Sequence, residues 1–349
     1  MFANVLTLIS VRNIFFIYFL ILSSAVNAQT VIEKNDTAGT MSYSVNSKIK
    51  YIYSRPKPFE FIKVIPRDYG SFYKAVFRKD QILNICIIAG STAILVAYDQ
   101  TILDEAKRFG STLHLKGTSN QTALINQSVK IASKEIQLQF NVPTDVNSTF
   151  YYLGDGWVHT SIAIAFWIDG LASKDYRSLR TASELGECIL TTGIATQFLK
   201  HITGRESPFT TNVRGGVWRL FPDQKKYAAH TPNYDAFPTG HLATAMATVT
   251  VIAENYPEVK YIRPVGYTLM SLLGFAMLNN GVHWAGDYPL GIAMGYVFAK
   301  VAVEHGRKVE DTNPTGLLEN HWKLKSSLAL VPNEFGMGVG VRVSEVRGR

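Results

Sequence analysis

The sequence predicts an all-α protein folded as a helical bundle, with a short β-strand or hairpin at the C-terminus. The chain has 349 residues, of which 47% are hydrophobic and 18% charged, so it holds enough apolar residues for a large packed core. Beyond residue 150, apolar segments of helical length alternate with short polar segments. Near the C-terminus, GMGVGVRV alternates glycine with apolar residues, and this period of two is typical of a β-strand.

The N-terminus has the features of a secretory signal peptide over residues 1–28. Arg12 precedes an apolar run from Ile14 to Leu22, and small residues precede a predicted cleavage before Gln29. An uncleaved anchor helix is the alternative, although the apolar run is shorter than the ~20 residues that a membrane span needs. The sequence therefore predicts an exported protein that is periplasmic or membrane-associated.

Residues 29–150 form a predicted N-terminal extension of mixed character. The polar residues 29–46 indicate a loosely held segment. The apolar segment 82–98 predicts a helix whose length fits either a short membrane span or a buried core helix. The polar residues 100–150 predict surface helices and loops.

Residues 151–306 form the predicted core bundle, and residues 307–349 a tail that contains the strand. Small residues recur on the core helices at Gly291, Gly295 and Ala243, which allows helix backbones to approach closely. The C-terminal strand needs a partner, either the preceding SSLALV segment or another chain. The predicted core helices span residues 158–171, 183–202, 239–254, 264–278 and 287–304.

Charge and cysteine content limit the classes of partner. The net charge of +8 suits phosphorylated substrates or an anionic membrane surface. The Lys and Arg residues are scattered and form no basic stripe with interleaved aromatic residues, so nucleic-acid binding is not predicted. Two cysteines are too few for a disulfide scaffold.

Two polar segments at helix ends suggest an anion site. In LKHITGRESPF, Lys200 and Arg205 flank a glycine turn, and two cations at such a turn can bind an anion; favourable charge at a helix C-terminus is the alternative. In FPTGH, Thr239 and Gly240 begin a helix whose first backbone N–H groups are available to an oxyanion. His241, in the same segment, can donate or accept a proton near neutral pH.

A third polar segment, NNGVHWAGDYPLG, contains a histidine and an aspartate four residues apart. In a helical turn, the carboxylate of Asp287 would lie near the imidazole of His283. A carboxylate that holds one ring nitrogen leaves the other as a nucleophile or ligand. One such pair supplies too few ligands for zinc, so no metal site is predicted.

Taken together and in this order, the three segments resemble the signature of the type 2 phosphatidic acid phosphatase superfamily. That signature is KxxxxxxRP, then PSGH, then SRxxxxxHxxxD, and the resemblance covers about residues 150 to 305. The matching residues are Lys200 and Pro208, then Pro238, Thr239, Gly240 and His241, then His283 and Asp287.

The chain departs from this signature at two positions. Ser207 stands where the first motif has arginine, and Ala276 and Met277 stand where the third motif begins with Ser-Arg. Both arginines that grip phosphate in the family are therefore absent. Arg205, two residues before Ser207, is the nearest candidate for compensation, and further arginines follow in the loop up to residue 219.

The resemblance implies a mechanism that uses no metal or other cofactor. His283 would attack phosphorus to give a phosphohistidine, with Asp287 orienting its ring. His241 would protonate the leaving alcohol and then activate water. The substrate would be a phosphorylated small molecule or lipid, with a phosphomonoester or diphosphate group. The groups that stabilise the phosphate oxygens would be Lys200, Arg205 and the backbone at Thr239 and Gly240.

Two other functions fit the same pattern. Vanadium-dependent haloperoxidases resemble this superfamily and bind vanadate where phosphate would sit, with the residue equivalent to His283 as ligand. A non-catalytic phosphate- or lipid-binding relative would keep the histidines while losing the arginines. The position of the arginines in the 205–219 loop bears on the second alternative, because a phosphatase needs cations directed at the phosphate.

Overall fold

The computed structural model describes the backbone of residues 32–33, 39–131, 134–311, 323–333 and 336–346. The predicted signal peptide lies outside the described residues. Across those ranges the strands are β1 (Ile32–Glu33), β2 (Thr40–Ser44), β3 (Ile49–Ser54), β4 (Gln121–Ile131), β5 (Lys134–Pro143), β6 (Arg307–Asp311), β7 (Lys323–Asn333) and β8 (Gly336–Val346). The α-helices in the same ranges are α1 (Glu60–Lys63), α2 (Ile65–Val76), α3 (Ile82–Thr112), α4 (Val146–Tyr152), α5 (Gly156–Ala172), α6 (Tyr176–Thr203), α7 (Gln224–Ala229), α8 (Gly240–Asn255), α9 (Ile262–Asn280) and α10 (Tyr288–Gly306).

The predicted helical bundle is confirmed, and α5, α6, α8, α9 and α10 are its five predicted core helices. Helix α6 begins at Tyr176, earlier than predicted, because the Asp175 side chain accepts hydrogen bonds from Arg177 N and Ser178 N. The Arg177 side chain then pairs with Glu258 at 2.7 Å. These contacts let a polar first turn lie buried within the bundle.

Small residues set the spacing between α8 and α10, as predicted. A Cβ atom at Gly291 would lie 2.5 Å from Thr239 O, and one at Gly295 would collide with the Ala243 carbonyl group. The two helix backbones are therefore in direct contact, and this contact places the start of α8 beside the start of α10. One apolar cluster of the core, around Leu242, Leu273 and Met277, lies next to these helix starts.

Helix α3 is longer than the predicted segment and lies on the outside of the bundle. Within the described residues, one helical stretch, Lys79–Thr112, is long and apolar enough to cross a membrane. No residue of its most apolar part is buried inside the protein. This exposure contradicts the core-helix alternative. Among its exposed side chains are Ile87, Ile94 and Tyr98.

Two parts of the extension form strands where the sequence predicts none. Strands β4 and β5 make an antiparallel hairpin over residues 121–143, so the prediction of surface helices and loops is wrong there. Strands β2 and β3 pair with each other and with β6 in one antiparallel sheet, so residues 40–44 are not loosely held. Tyr43 anchors that sheet, because its hydroxyl donates to Asp175 at the start of α6 at 2.7 Å.

The C-terminal strand has its partner within the chain. Strand β8 pairs antiparallel with β7, with Gly340 opposite Ala329 and Gly338 opposite Val331. The partner is therefore the preceding segment that contains SSLALV, the first of the two predicted alternatives. A hairpin of two neighbouring segments forms with a short connection, which favours local pairing.

Candidate active site

The three polar segments meet at one end of the bundle, where α6 ends and α8 and α10 begin. Gly204 ends α6 in the left-handed region, with φ of 53°, and its N–H donates to Lys200 O at 3.0 Å. The Thr239 N–H donates to Asp287 O at 3.1 Å and joins the second segment to the third. Ala236 N–H donates to the carbonyl of the residue after Gly204 at 2.9 Å, which joins the first segment to the second.

His283 lies buried in the loop between α9 and α10. Its Nδ1 is 2.7 Å from Ala236 O and 3.3 Å from Asp287 Oδ2. A carbonyl and a carboxylate can only accept hydrogen bonds, so Nδ1 carries the proton of the neutral ring. Nε2 is then the basic nitrogen, available to attack an electrophile.

Asp287 is fully buried, and both of its oxygens are engaged. Oδ2 accepts from Trp284 N at 2.7 Å in addition to its contact with His283. Oδ1 accepts from Arg205 Nη1 at 2.6 Å. The carboxylate is thus fixed between the histidine ring and a guanidinium group.

Arg205 is also fully buried and lies between two carboxylates. Its Nη1 donates to Asp287 and its Nη2 to Asp99, while the guanidinium carbon lies 4.6 Å from the centre of the Trp218 ring. The Arg205 side chain is therefore bound to two carboxylates of the site. Its predicted role at the phosphate stays a prediction.

Asp99 is a member of this cluster that sequence reasoning missed. It lies on α3 with no exposed surface, and its Oδ1 accepts from Gly286 N at 2.8 Å. An aspartate is rarely fully buried unless it is paired. The available signal was a lone carboxylate directly after the apolar segment 82–98, but its partner Arg205 is 106 positions away in the chain.

His241 begins α8 next to the other histidine. Its ring centre is 5.8 Å from that of His283 and 5.1 Å from that of Tyr151. A Cβ atom at Gly154 would lie 2.7 Å from His241 Cβ, so only glycine allows this approach. Although part of the residue is accessible, burial of the ring, the neighbouring His283 and the positive charge of Lys200 lower its pKa to about 3.

The predicted anion-binding groups lie around the histidine pair. Lys200 is buried, and its Nζ is 3.6 Å from Asp235 Oδ2. The Thr239 side chain caps α8 by accepting from Leu242 N at 3.5 Å. The N–H groups at Gly240 and His241 belong to the first turn of α8 and have no acceptor within the helix.

The PAP2 superfamily model matches residues 181–309, which include the two histidines, Asp287 and the predicted anion-binding groups. Over these residues the chain is similar to the PAP2 superfamily. The resemblance carried by the three motifs is confirmed, and the family supports a phosphatase-type activity. No curated protein and no solved structure shows a significant match to the chain.

Within the matched range, both positions that lack the family arginine lie in the interior. Ser207 is 3% exposed, and its N–H donates to Pro232 O at 2.9 Å. Met277 is fully buried, and its sulfur accepts from Thr239 Oγ1 at 3.8 Å. An apolar side chain thus packs behind the start of α8 where the family places a cation.

The other arginines of the 205–219 loop are held by acidic partners. Arg214 is largely exposed and lies 3.9 Å from Asp104 on α3. Arg219 lies 3.4 Å from Glu206 and donates to Asn233 O at 3.1 Å. Both guanidinium groups are therefore engaged with acidic side chains.

No metal cluster accompanies the site in the part of the chain that the structure describes. Among those residues, no group of three or more His, Cys, Asp and Glu side chains could hold a metal ion.

Cys86 is an exposed free thiol and Cys188 a buried one.

His159, a buried residue of α5 outside the three motifs, predicts a pH dependence of stability. Its Nδ1 is 2.9 Å from Thr248 Oγ1, and burial lowers its pKa from 6.5 to about 4. Between these values the unfolded state binds a proton that the folded state excludes, so stability falls as the pH falls from 6.5 to 4. The free energy involved is about 3 kcal/mol.

We therefore expect His159→Asn, whose amide can replace Nδ1, to lose less stability on acidification than the wild type. Urea unfolding at pH 7 and pH 4 measures how much unfolding free energy each protein loses on acidification. This loss should be smaller in the variant than in the wild type by about 3 kcal/mol. An equal loss of unfolding free energy in the two proteins would contradict the prediction.

Proposed function

We propose that this protein is an exported, metal-independent phosphatase that hydrolyses a phosphomonoester or diphosphate through a phosphohistidine at His283. The proposal rests on one observation above the others. Nδ1 of this residue is held by two acceptors, Ala236 O and Asp287 Oδ2, so Nε2 presents its lone pair as a nucleophile. Similarity to the PAP2 superfamily supports the same class of activity.

In the first step, Nε2 of His283 attacks phosphorus and the bond from phosphorus to the leaving oxygen breaks. His241 donates its proton to that oxygen. The imidazole ring becomes positively charged, and the Asp287 carboxylate at Nδ1 stabilises this charge. In the second step, His241 takes a proton from water, the resulting hydroxide attacks phosphorus, and the phosphorus–nitrogen bond breaks to release inorganic phosphate.

The charge on the phosphate oxygens needs preorganised donors. We assign this role to Lys200 and to the first N–H groups of α8, at Gly240 and His241. The buried position of Lys200 strengthens its interaction with an anion, because water screens it little. Arg205 contributes through Asp287, to which it is bonded.

An apolar groove beside the site favours a substrate with an apolar tail, such as a lipid phosphate. The groove has a volume of about 500 Å³ and is lined by α8, α9 and α10, within the range of about 300–1,000 Å³ typical of ligand sites. Leu242 and Tyr288, which follow directly after His241 and Asp287, line it together with Phe275. We also propose that the exposed apolar face of α3 associates the enzyme with a membrane, where such substrates reside.

The groove predicts selective loss of lipid phosphatase activity in Ser271→Phe. Ser271 lines the groove on α9, and a phenyl ring there would exclude part of an acyl chain. Excluding two methylene groups, at about 0.8 kcal/mol each, corresponds to a more than tenfold loss of kcat/KM. Activity on a small aryl phosphate should stay within about twofold of wild type, since its ring needs no groove.

Thr268→Phe is the matched control for this prediction. Thr268 is exposed one turn away on α9, and its hydroxyl donates to Pro264 O as that of Ser271 donates to Tyr267 O. Steady-state assays on a long-chain lipid phosphate in detergent and on an aryl phosphate compare the variants. Equal losses on both substrates for Ser271→Phe would exclude the groove as a tail site.

The proposed activity is tested by phosphate release in the presence of a chelator. We expect the wild type to hydrolyse an aryl phosphate or a lipid phosphate with the metal removed, and a base-stable, acid-labile phosphoprotein to appear on rapid quenching. Loss of turnover on chelation that returns on adding a metal ion would contradict metal independence. Turnover without a phosphoprotein in any quench would argue against the phosphohistidine.

A non-catalytic phosphate- or lipid-binding role is the second candidate. It is favoured by one observation: the arginines of the 205–219 loop are bound to acidic side chains. Arg205, for example, pairs with Asp287 and Asp99. Such a protein would bind a lipid phosphate in equilibrium dialysis but release no inorganic phosphate from it. The chelator assay therefore separates the two functions directly.

A further inference from the structure

A continuous chain of charged contacts links the N-terminal extension to the proposed nucleophile. His283 contacts Asp287, Asp287 contacts Arg205, and Arg205 contacts Asp99. The last three side chains are fully buried. Asp99 lies outside residues 181–309, the range that matches the PAP2 superfamily.

We propose that Asp99 is a positioning residue for the His283–Asp287 pair, and that helix α3 is therefore part of the catalytic unit. The inference rests on the proposed phosphatase function. It assigns α3 a role in the chemistry that is separate from its apolar surface.

The first part of the argument is geometric. Asp99 engages one end of the Arg205 guanidinium group, so the other end is directed at Asp287 Oδ1. Asp287 Oδ2 is then left for Nδ1 of His283 and for Trp284 N. Since Asp99 Oδ1 also accepts from Gly286 N at 2.8 Å, the same carboxylate fixes the backbone directly before Asp287.

The second part of the argument concerns charge. Arg205 alone would neutralise Asp287, and a neutral pair stabilises a positively charged imidazole poorly. With Asp99 present, two carboxylates flank one guanidinium group, so a net negative charge remains beside His283. That charge stabilises the imidazolium ring of the phosphohistidine, because water is excluded from these buried groups.

A purely structural role makes a different prediction. A carboxylate that only anchors α3 could be replaced by an amide, since Asn also accepts from Gly286 N. Such a change would affect the yield of folded protein and leave turnover per folded molecule unaltered.

The test compares Asp99→Asn, Asp99→Glu and the control Asp104→Asn in the full-length protein, using an aryl phosphate. Asp104 lies on the same helix, is half-exposed and pairs weakly with Arg214, so its variant should match the wild type. We expect Asp99→Asn to lower kcat on the order of 10- to 100-fold, by analogy with the range known for partners that orient metal-ligating histidines. KM should change less than about threefold, because Asp99 acts on the reacting ring rather than on the bound phosphate.

Asp99→Glu keeps the charge and should restore part of the lost kcat. All rates are referred to the folded fraction, measured by size-exclusion chromatography and thermal unfolding. If Asp99→Asn does not fold, Asp99→Glu carries the test, because its longer side chain keeps the charge but displaces the carboxylate, and its kcat should lie below that of the wild type.

Wild-type kcat per folded molecule in Asp99→Asn, or in Asp99→Glu if only that variant folds, would overturn the inference, as would a rise in KM with kcat unchanged. Failure of the proposed function looks different. If His283→Ala keeps wild-type turnover, the phosphohistidine proposal fails and the role of Asp99 with it. If His283→Ala is inactive while Asp99→Asn is fully active, only the positioning role fails.

Discussion

His283→Ala should reduce phosphate release by at least about 10⁴-fold, because the variant keeps binding and charge stabilisation but has no nucleophile. The phosphoprotein trapped from the wild type should be absent at every quench time. Alanine leaves Asp287 buried and still paired with Arg205 at 2.6 Å, so the variant should fold. Phosphate release and base-quenched labelling with a radioactive aryl phosphate measure the two effects.

The control for His283→Ala is His230→Ala, since His230 is exposed and lies outside the motifs. It should match the wild type in both assays. Free imidazole offers a second check, because it can enter the space left by the ring and act as the nucleophile in its place. Residual turnover near the wild-type rate, with labelling intact, would show that the phosphate is transferred to another group.

The bundle could be predicted because its elements depend on local pattern. Each core helix has apolar residues over a helical length, and α8 begins within one residue of the predicted Thr239, whose side chain caps it. The early start of α6 was missed because its first turn is polar. Its arginines are buried only through distant partners such as Glu258, and no local pattern shows such partners.

The strands of the extension illustrate the same limit. Residues 121–143 are polar, a pattern that predicts surface helices and loops, yet they pair as a hairpin. The sheet at residues 40–54 depends on β6, more than 250 positions away in the chain. Pairing over such separations is decided by tertiary contacts rather than by propensity.

The site was predictable in its histidines and not in its charge network. The spacing of His283 and Asp287 and the helix start at His241 follow from short motifs, and the structure places these residues together. The direction in which Arg205 points depends on Asp99 and Trp218, neither of which belongs to a motif. A cation near a phosphate motif can serve the phosphate or the catalytic carboxylate, and only the fold distinguishes the two.

His241→Ala should slow turnover by about 10²- to 10⁴-fold, and the loss should depend on the leaving group. An alkyl phosphate needs a proton donor in the first step, whereas an aryl phosphate with an acidic phenol leaves without one. With the aryl phosphate, the variant should release about one phenol per enzyme in a burst and then stall, because no base activates water. The phosphoprotein should accumulate during the stall.

The pKa of His241 explains why both steps depend on this residue. In the free enzyme, burial of the ring, the neighbouring His283 and the positive charge of Lys200 hold its pKa at about 3, so the ring is neutral at pH 7 and has a nitrogen free to accept a proton. A bound phosphate dianion offsets the charge of Lys200, raises the pKa of His241 and favours the protonated ring, which then serves as the acid. Stopped-flow measurement of phenol release with base-quenched labelling tests this. Equal slowing for alkyl and aryl phosphates, with no accumulated phosphoprotein, would place the proton transfer on another residue.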